Sequence, residues 1–162
     1  MKKLIFIRHG KAEDPAPEIS DFERSLTLKG KNVSKLMAGK LREKDKHPGK
    51  IITSPAFRAL ETAFIFAEEF RIDPETIIIN STLYYKMNFD HLPEILSLVS
   101  EDTDSITLFG HNPSFTEIAD SLCQEGCNFI PKSGIIGISF KIRTWSEIRY
   151  NTGKQEYFLK PE

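Results

Sequence analysis

Short apolar runs alternate along most of this chain with segments whose apolar residues recur at helical spacing. The runs predict strands at residues 3–7, 50–53, 76–79 and 105–109. The helical spacing predicts helices at residues 27–44, from 54 to about 70, 90–99 and 114–122. Because strands that alternate with helices pair through crossover connections, this order favours an α/β fold with a mostly parallel sheet.

The last thirty residues have a different pattern. Alternating β-branched and polar residues predict strands at 135–142, 147–150 and 156–159, with a turn at 151–154. We therefore expect a three-layer α/β sandwich: a mostly parallel central sheet, helices on both faces, and an antiparallel edge formed by the C-terminal strands. With no internal repeat and no linker, residues 1–162 predict a single domain.

Helix boundaries follow from capping residues. Thr27 is expected to cap the first helix, Ser54 with Pro55 to open the second, and Asp90 to cap the third. The expected core face of the first helix comprises Val33, Leu36, Met37 and Leu41.

Composition excludes several classes of protein. A formal net charge of −1 argues against a general nucleic-acid binder. The few apolar residues before Arg8 are too short a run for a signal peptide or a membrane span. Cys123 and Cys127 lack neighbouring histidines of metal-ligand spacing, so we interpret them as reduced thiols in a cytoplasmic protein.

The most informative motif is Arg8-His9-Gly10, which follows the first apolar strand directly. A cation and an imidazole at the end of a buried strand are costly without a partner. A phosphate satisfies both, because the planar fork of arginine matches phosphate oxygens, and glycine allows the backbone to pass closely.

Two further motifs follow predicted strands. Arg58 lies in the first turn of a helix, where its charge opposes the helix dipole and favours an anion partner. Gly110-His111-Asn112-Pro113 lies at another strand-to-helix junction. Each has a structural alternative: Arg58 pairs with Glu61 or Glu23, and His111 is an ordinary core histidine. In parallel sheets, ligands gather beyond the carboxyl ends of the strands, where all three motifs are expected to meet.

With these motifs the chain resembles the histidine phosphatase superfamily, also called the phosphoglycerate mutase-like fold. Its compact size and the His-Asn-Pro form of the last motif are similar to the SixA-type phosphohistidine phosphatases. The resemblance spans nearly the whole chain and rests on Arg8-His9-Gly10, the Leu-Thr-Leu-Lys-Gly run at 26–30, Ser54-Pro55, Arg58, Glu61-Thr62 and Gly110-His111-Asn112-Pro113.

The resemblance implies that His9 is the nucleophile and carries a phosphohistidine intermediate. It implies further that Arg8, Arg58 and a protonated His111 clamp the phosphoryl oxygens. Phosphoryl transfer needs positioning and charge neutralisation, which two arginines and two histidines supply. We therefore expect neither a metal nor another cofactor. Further substrate contacts are expected from Gly10, Arg24, Asn112 and Ser133.

One part of the family's pattern is missing. Many members carry a glutamate after the third strand as general acid, whereas the corresponding segment here, residues 83–90, contains none. An alkoxide leaving group needs a proton, but an imidazole leaves already protonated from a phosphoramidate. The missing acid therefore favours a phosphohistidine substrate. Asp90 and Glu13 remain candidate acids, and Asp14, Glu23, Tyr84 and His91 are further alternatives.

The short segments around the motifs leave no room for a large lid, so an open, shallow site is expected.

The leading prediction is a metal-independent phosphatase acting on phosphohistidine in a protein, such as a phosphocarrier or a histidine phosphotransfer domain. A phosphatase for small phosphate monoesters is the first alternative; a mutase fits less well, and a non-catalytic phosphate- or phosphoprotein-binding module is the alternative from another class. No nucleic-acid or membrane partner is expected, and the chain is predicted to be a monomer.

Overall fold

Six strands form one mixed sheet in a computed structural model that describes all residues, 1–162. The strands are β1 (Lys2–Arg8), β2 (Lys50–Thr53), β3 (Ile78–Ile79), β4 (Ser105–Gly110), β5 (Ile135–Phe140) and β6 (Gly153–Leu159). Their order is β3-β2-β4-β1-β5-β6; the first four are parallel, and β5 and β6 add an antiparallel edge. The predicted sheet is confirmed.

Four helices cover the two faces of this sheet. They are α1 (Leu28–Lys44), α2 (Phe57–Phe70), α3 (Leu92–Leu96) and α4 (Ser114–Leu122). Strand β1 separates the cores because its side chains alternate: Leu4 and Phe6 pack with residues of α3 and α4, whereas Ile5 and Ile7 pack with residues of α1 and α2. The predicted three-layer arrangement is thereby confirmed. No helix combines the length and apolar character needed to cross a membrane.

The first two helices differ in detail from the prediction. Thr27 caps α1 as expected, accepting a hydrogen bond from the amide of Gly30 at 2.9 Å. Leu36 does not belong to the core face, since it is 69% exposed. The expectation that Ser54 caps α2 is wrong: the helix begins at Phe57, because the Ser54 hydroxyl accepts from the amide of Ala56 in a turn ahead of it.

The third strand and third helix are shorter than predicted. A 3₁₀ turn at Pro74–Thr76 occupies the start of the expected strand, so that β3 contains only two residues. Asp90 is not a helix cap; its own amide donates to the side chain of Asn88, which caps a 3₁₀ turn ahead of α3. The helix then ends at Leu96, well before residue 99.

The C-terminal edge contains two strands where three were predicted. Residues 147–150 form no strand, because Glu147 closes a 3₁₀ turn by accepting from the amides of Arg143 and Thr144. Asn151 has a φ of +55°, as the predicted turn requires, and β6 already begins at Gly153. Strand β5 ends at Phe140.

Candidate active site

The three sequence motifs meet at one edge of the sheet because β2, β4 and β1 are parallel neighbours. Their ends are level: Arg8 pairs in register with Gly110, and Thr53 with Phe109. The chain after each strand turns toward the same side, where His9 and His111 lie with their ring centroids 5.0 Å apart. We call Arg8, His9, Arg58 and His111, the four candidate catalytic residues, the catalytic cluster.

His9 is held in one tautomer. Its Nδ1 lies 2.7 Å from the carbonyl oxygen of Gly10, and since a carbonyl only accepts, Nδ1 carries the proton. Nε2 therefore has the free lone pair. Burial, and then the charges of His111, Arg58 and Arg8, lower the pKa of His9 to about 3 against the opposing effect of the Gly10 carbonyl. The imidazole is neutral and nucleophilic at neutral pH.

Gly10 supports His9 and has no polar backbone group left for a ligand. Its carbonyl accepts from His9, and its amide donates to the Thr62 hydroxyl at 3.0 Å. A Cβ at Gly10 would lie 2.6 Å from the Ser34 hydroxyl and 3.1 Å from the Gly30 carbonyl. Glycine is thus required by close packing against α1, whereas the sequence suggested close approach to an anion.

Ser54 positions the second histidine, a role that sequence reasoning missed. The His111 Nε2 lies 2.8 Å from the Ser54 hydroxyl, which is fully buried after β2. His111 Nδ1 is buried and has no hydrogen-bond partner. Burial, and next the charge of Arg58, lower the pKa of His111 to about 4. This imidazole is therefore neutral in the free protein, and the protonated His111 expected around a phosphoryl group stays a prediction.

Arg8 is anchored by a segment far away in the sequence. Its Nη1 donates to the carbonyl oxygen of Ile130 at 3.2 Å, and its guanidinium carbon lies 5.3 Å from the centre of the Phe129 ring. The Nε of Arg8 is buried without a partner. One side of the guanidinium is thus fixed, and an N–H group remains for an anion.

Arg58 is held by Asp21, a residue of the first loop that sequence reasoning also missed. Arg58 Nη1 donates to the Asp21 carbonyl at 2.8 Å, and Nη2 donates to the Asp21 carboxylate at 3.0 Å. The alternative partners Glu61 and Glu23 make no ion pair with Arg58. The sequence gives little indication of this role, because Asp21 lies in a polar loop and no periodic pattern of residues distinguishes it.

Unpartnered buried nitrogens are concentrated in the catalytic cluster. Of the four buried side-chain nitrogen and oxygen atoms without a hydrogen bond in the whole protein, three are Arg8 Nε, Arg58 Nε and His111 Nδ1. Buried polar groups are normally satisfied, so three such nitrogens beside a nucleophilic imidazole call for an anionic partner with several acceptor oxygens. A phosphoryl group has this chemistry.

The other predicted contact residues have structural partners. Arg24 donates through Nε and Nη2 to the Asp21 carboxylate and through Nη1 to the Glu13 carbonyl. Asn112 donates to the Ile130 carbonyl and accepts from Thr116 at the start of α4. Ser133 is buried, with its hydroxyl 3.1 Å from that of Ser34 and its amide bonded to the carbonyls of Arg8 and His9. The hydrogen bonds of these three residues stabilise the loops and the helix start around the catalytic cluster.

Neither candidate acid is brought to the catalytic cluster. The carboxylates of Asp90 and Glu13 are exposed and bond to none of its members. The carboxylate that does contact the cluster is Asp21. Partial burial would raise its pKa, but hydrogen bonds from Arg24, Arg58 and Tyr84 lower it to about 2. Asp21 is therefore ionised at neutral pH and has no proton to give.

Aromatic side chains lie against two members of the cluster. The ring of Tyr84 meets that of His111 edge-on at 5.7 Å, and Phe129 lies against Arg8. Tyr84 also contacts the rings of Tyr85 and Phe22, at centroid distances of 5.3 and 5.4 Å, and Phe22 contacts that of Phe57 at 5.7 Å. We call this set the aromatic rim: Phe22, Phe57, Tyr84, Tyr85 and Phe129.

The outer rings of the rim are open to solvent, whereas His9 and Arg58 of the cluster are buried. Tyr85 and Phe129 are 68% and 57% exposed, an unusual state for large rings beside a charged site. The cavities of about 600, 440 and 510 Å³ on this protein are lined by residues outside the cluster. The open, shallow site that the short connecting segments predict stays a prediction.

Comparison with known proteins agrees with this geometry. The sequence profile of the histidine phosphatase superfamily (branch 1) matches residues 4–79, which contain His9 and Arg58. An uncharacterized protein of Picosynechococcus is 32% identical over 139 residues, which are 84% of each chain.

Solved structures share the fold over almost the full length. The protein histidine phosphatase SixA, determined with tungstate, has a TM-score of 0.81 at 21% identity and covers 98% of this chain and 97% of its own. A SixA protein of Agrobacterium tumefaciens has a TM-score of 0.78 at 22% identity and covers 99% of both chains. A mycobacterial glucosyl-3-phosphoglycerate phosphatase, determined with VO3, has a TM-score of 0.70 at 13% identity, covering 97% of this chain and 98% of its own.

Proposed function

The chain belongs to the histidine phosphatase superfamily and is a phosphatase hydrolase, and we propose that its substrate is phosphohistidine carried by a protein. The reaction needs no metal in this proposal. His9 is the nucleophile, Arg8 and Arg58 hold the phosphoryl oxygens, and His111 donates a third hydrogen bond to them.

The proposed reaction has two steps. In the first, the His9 Nε2 lone pair attacks phosphorus, the substrate P–N bond breaks, and the substrate imidazole leaves with its proton. In the second, water attacks phosphorus and the bond from phosphorus to His9 Nε2 breaks. Both water protons leave with the phosphate, as dihydrogen phosphate, and His9 is left neutral with its proton on Nδ1. The carbonyl of Gly10 keeps the proton on Nδ1 throughout, so that Nε2 is the nitrogen that reacts. His111 is neutral in the free protein and takes up or shares a proton when the phosphoryl dianion arrives.

The observation that carries the choice of substrate is the state of Asp21. This carboxylate is the one that contacts the cluster, and it is ionised and already accepts hydrogen bonds from Arg24, Arg58 and Tyr84. A phosphate monoester would release an alkoxide, whose departure needs a proton donor. A phosphohistidine releases an imidazole, with an ordinary pKa near ~6.5, which leaves without such help.

The aromatic rim supports a substrate that is part of a protein. A sugar or nucleotide phosphate is usually enclosed in a deep pocket, whereas exposed aromatic side chains favour contact with a protein surface. The ring centre of Phe129 lies 5.3 Å from the guanidinium carbon of Arg8, and Tyr85 lies edge-on to Tyr84, which in turn lies against His111. In this proposal the two exposed rings contact the residues that flank the phosphohistidine side chain. We propose a phosphocarrier or a histidine phosphotransfer domain as the class of partner. A cytoplasmic location and a monomeric state stay predictions.

Hydrolysis of a phosphoramidate compared with a panel of phosphate monoesters tests the proposal. The assay contains EDTA, and the His9→Ala variant serves as control. We expect a strong preference for the P–N bond and no turnover by His9→Ala. Preference for a monoester would overturn the choice of substrate and indicate a phosphatase for small phosphate monoesters. Binding of orthovanadate without turnover of either class would indicate the non-catalytic binding module.

A further inference from the structure

Asp21 has more partners than any other carboxylate near the catalytic cluster. One of its oxygens, Oδ1, accepts from Nε and Nη2 of Arg24 at 3.1 and 2.8 Å. The other, Oδ2, accepts from Nη2 of Arg58 at 3.0 Å and from the hydroxyl of Tyr84 at 2.9 Å. Its backbone carbonyl accepts from Nη1 of Arg58. A surface aspartate with an exposed fraction of 54% rarely has so complete a set of donors.

The geometry of these bonds divides the guanidinium of Arg58 into two parts. A guanidinium has five N–H donors in one rigid plane, so fixing its outer edge also fixes where Nε points. Asp21 takes that outer edge, through Nη1 and Nη2. Two of the five N–H groups are thus used, and among the three that remain the Nε–H is on a buried nitrogen without a hydrogen-bond partner. Arg58 Nη2 and the Tyr84 hydroxyl share Asp21 Oδ2, and the Tyr84 ring lies against His111 at 5.7 Å, so the guanidinium lies on the same side of the site as that imidazole. In keeping with this, the Arg58 charge lowers the pKa of both His9 and His111.

We propose that Asp21 is a positioning residue: it grips the outer edge of Arg58 and thereby directs the Nε–H toward the phosphoryl oxygens. Arg24 and Tyr84 hold the Asp21 carboxylate in place from two other directions. The proposal rests on the phosphoryl-binding role assigned to Arg58 above, and is independent of whether the substrate bond is P–N or P–O.

Tyr84 extends the same network to the second histidine. Its hydroxyl donates to Asp21, and its ring lies edge-on to His111 at a centroid distance of 5.7 Å. Asp21 therefore connects the first loop, helix α2 and the segment after β3. A displacement of this carboxylate would change Arg58 directly and His111 through the tyrosine ring.

The competing explanation is that Asp21 has a purely structural role, which we call a clip. In that case Asp21 only fastens the first loop to α2, and its loss affects stability without affecting anion binding through Arg58. The two explanations differ in one measurable quantity: the coupling between Asp21 and Arg58 in anion affinity. A positioning role predicts strong coupling, because the effect of Asp21 passes through Arg58; a clip predicts additive effects.

Binding of orthovanadate, followed by isothermal titration calorimetry, tests this without any substrate. The variants are Asp21→Ala, Asp21→Asn, Arg58→Ala and the double variant Asp21→Ala/Arg58→Ala. The control is Glu18→Gln, an exposed carboxylate of the same loop that makes no ion pair. Thermal denaturation of each variant confirms that it folds.

We expect Asp21→Ala to weaken vanadate binding about 10- to 100-fold, as a misplaced charged donor does. Asp21→Asn should lose less, since an amide oxygen can still accept from Nη2. The double variant should bind no more weakly than Arg58→Ala alone, and Glu18→Gln should bind like the unmodified protein. Unchanged affinity in Asp21→Ala, or additive losses in the double variant, would overturn the positioning role. Unchanged affinity in Arg58→Ala would instead contradict the proposed phosphoryl site.

Discussion

The Nδ1 of His9 donates to the carbonyl oxygen of the next residue, Gly10, at 2.7 Å. This single bond decides which ring nitrogen can react, because it leaves the lone pair on Nε2. The Gly10 amide in turn donates to Thr62 of α2, whose hydroxyl donates to the Arg58 carbonyl. The nucleophile and the helix that carries Arg58 are thus joined through two hydrogen bonds.

Replacement of His9 by alanine should abolish turnover and preserve anion binding. We expect kcat for a phosphoramidate to fall by about 10³-fold or more, because the covalent intermediate cannot form. Orthovanadate should still bind, since both arginines and His111 remain. The matched control, His47→Ala, changes an exposed histidine far from the cluster and should leave kcat unaltered. Substantial turnover in His9→Ala would exclude His9 as the nucleophile.

Replacement of Ser54 by alanine should impair catalysis through His111. The variant loses the 2.8 Å bond to His111 Nε2 and the acceptor for the Ala56 amide. We expect kcat/KM to fall about tenfold, together with a stability loss of about 1–3 kcal/mol for the buried amide. Steady-state kinetics and urea denaturation measure the two effects. Ser54→Thr, which keeps a hydroxyl, should recover part of the kcat/KM; equal loss in both variants would contradict the role.

Both cluster histidines should stay neutral well below the ordinary histidine pKa. Burial lowers their pKa values to about 3 and about 4, so their charged forms are disfavoured in the folded protein. NMR titration of the histidine side chains measures this directly. A midpoint near 6.5 for either residue would contradict the prediction.

The same shifts make folding stability depend on pH. Between pH 6.5 and about 4 the unfolded chain binds protons at these two positions and the folded protein does not. Stability therefore falls as the pH is lowered through this window, by up to about 1.4 kcal/mol per pH unit for each histidine. Urea denaturation at pH 7, 6 and 5 should follow this trend, and the His9→Asn variant should show a weaker dependence.

The aromatic rim should affect protein substrates and not small ones. Tyr85→Ala removes a ring that is 68% exposed, so we expect folding to be unaffected. We expect kcat/KM for a histidine-phosphorylated protein to fall about 5- to 30-fold, while kcat/KM for a small phosphoramidate changes less than twofold. Phe64→Ala, at an exposed phenylalanine on α2, is the control. Equal losses on both substrates would show that the rim acts on chemistry instead of docking.

Replacement of Gly10 by alanine should destabilise the fold. The new methyl group would approach the Ser34 hydroxyl at 2.6 Å, in a region where α1 packs tightly on the end of β1. We expect a loss of about 1–3 kcal/mol in the free energy of unfolding, measured by urea denaturation. Gly39→Ala, within α1, serves as control: an added Cβ there would have no heavy atom within 4 Å outside the neighbouring helix backbone. We expect this variant to be more stable by about 0.5–1 kcal/mol, since alanine favours a helix more than glycine does.

Much of the fold was accessible from local patterns. The alternation of apolar runs and helical spacing predicted the parallel strands, the two helical layers and the antiparallel edge. Predictions failed where a short-range hydrogen bond overrode the pattern: at Ser54, which caps a turn instead of the helix, and at Glu147, which closes a 3₁₀ turn where a strand was expected. Such competition between side chain and backbone leaves no periodic signal.

The sequence by itself determined that Arg8, His9, Arg58 and His111 come together, because each lies at or after the end of a strand and parallel strands end at one edge. Their catalytic roles came from the family resemblance and stay predictions. Only the tertiary structure decided how these side chains are held. Ile130 reaches Arg8 from 122 residues away, and Asp21 reaches Arg58 from a loop 37 residues earlier. Hydrogen-bond partners of this kind come from segments that the fold brings together, so no local pattern encodes them. The tautomer of His9, the free Nε of Arg58 and the ionised state of Asp21 all depend on such contacts.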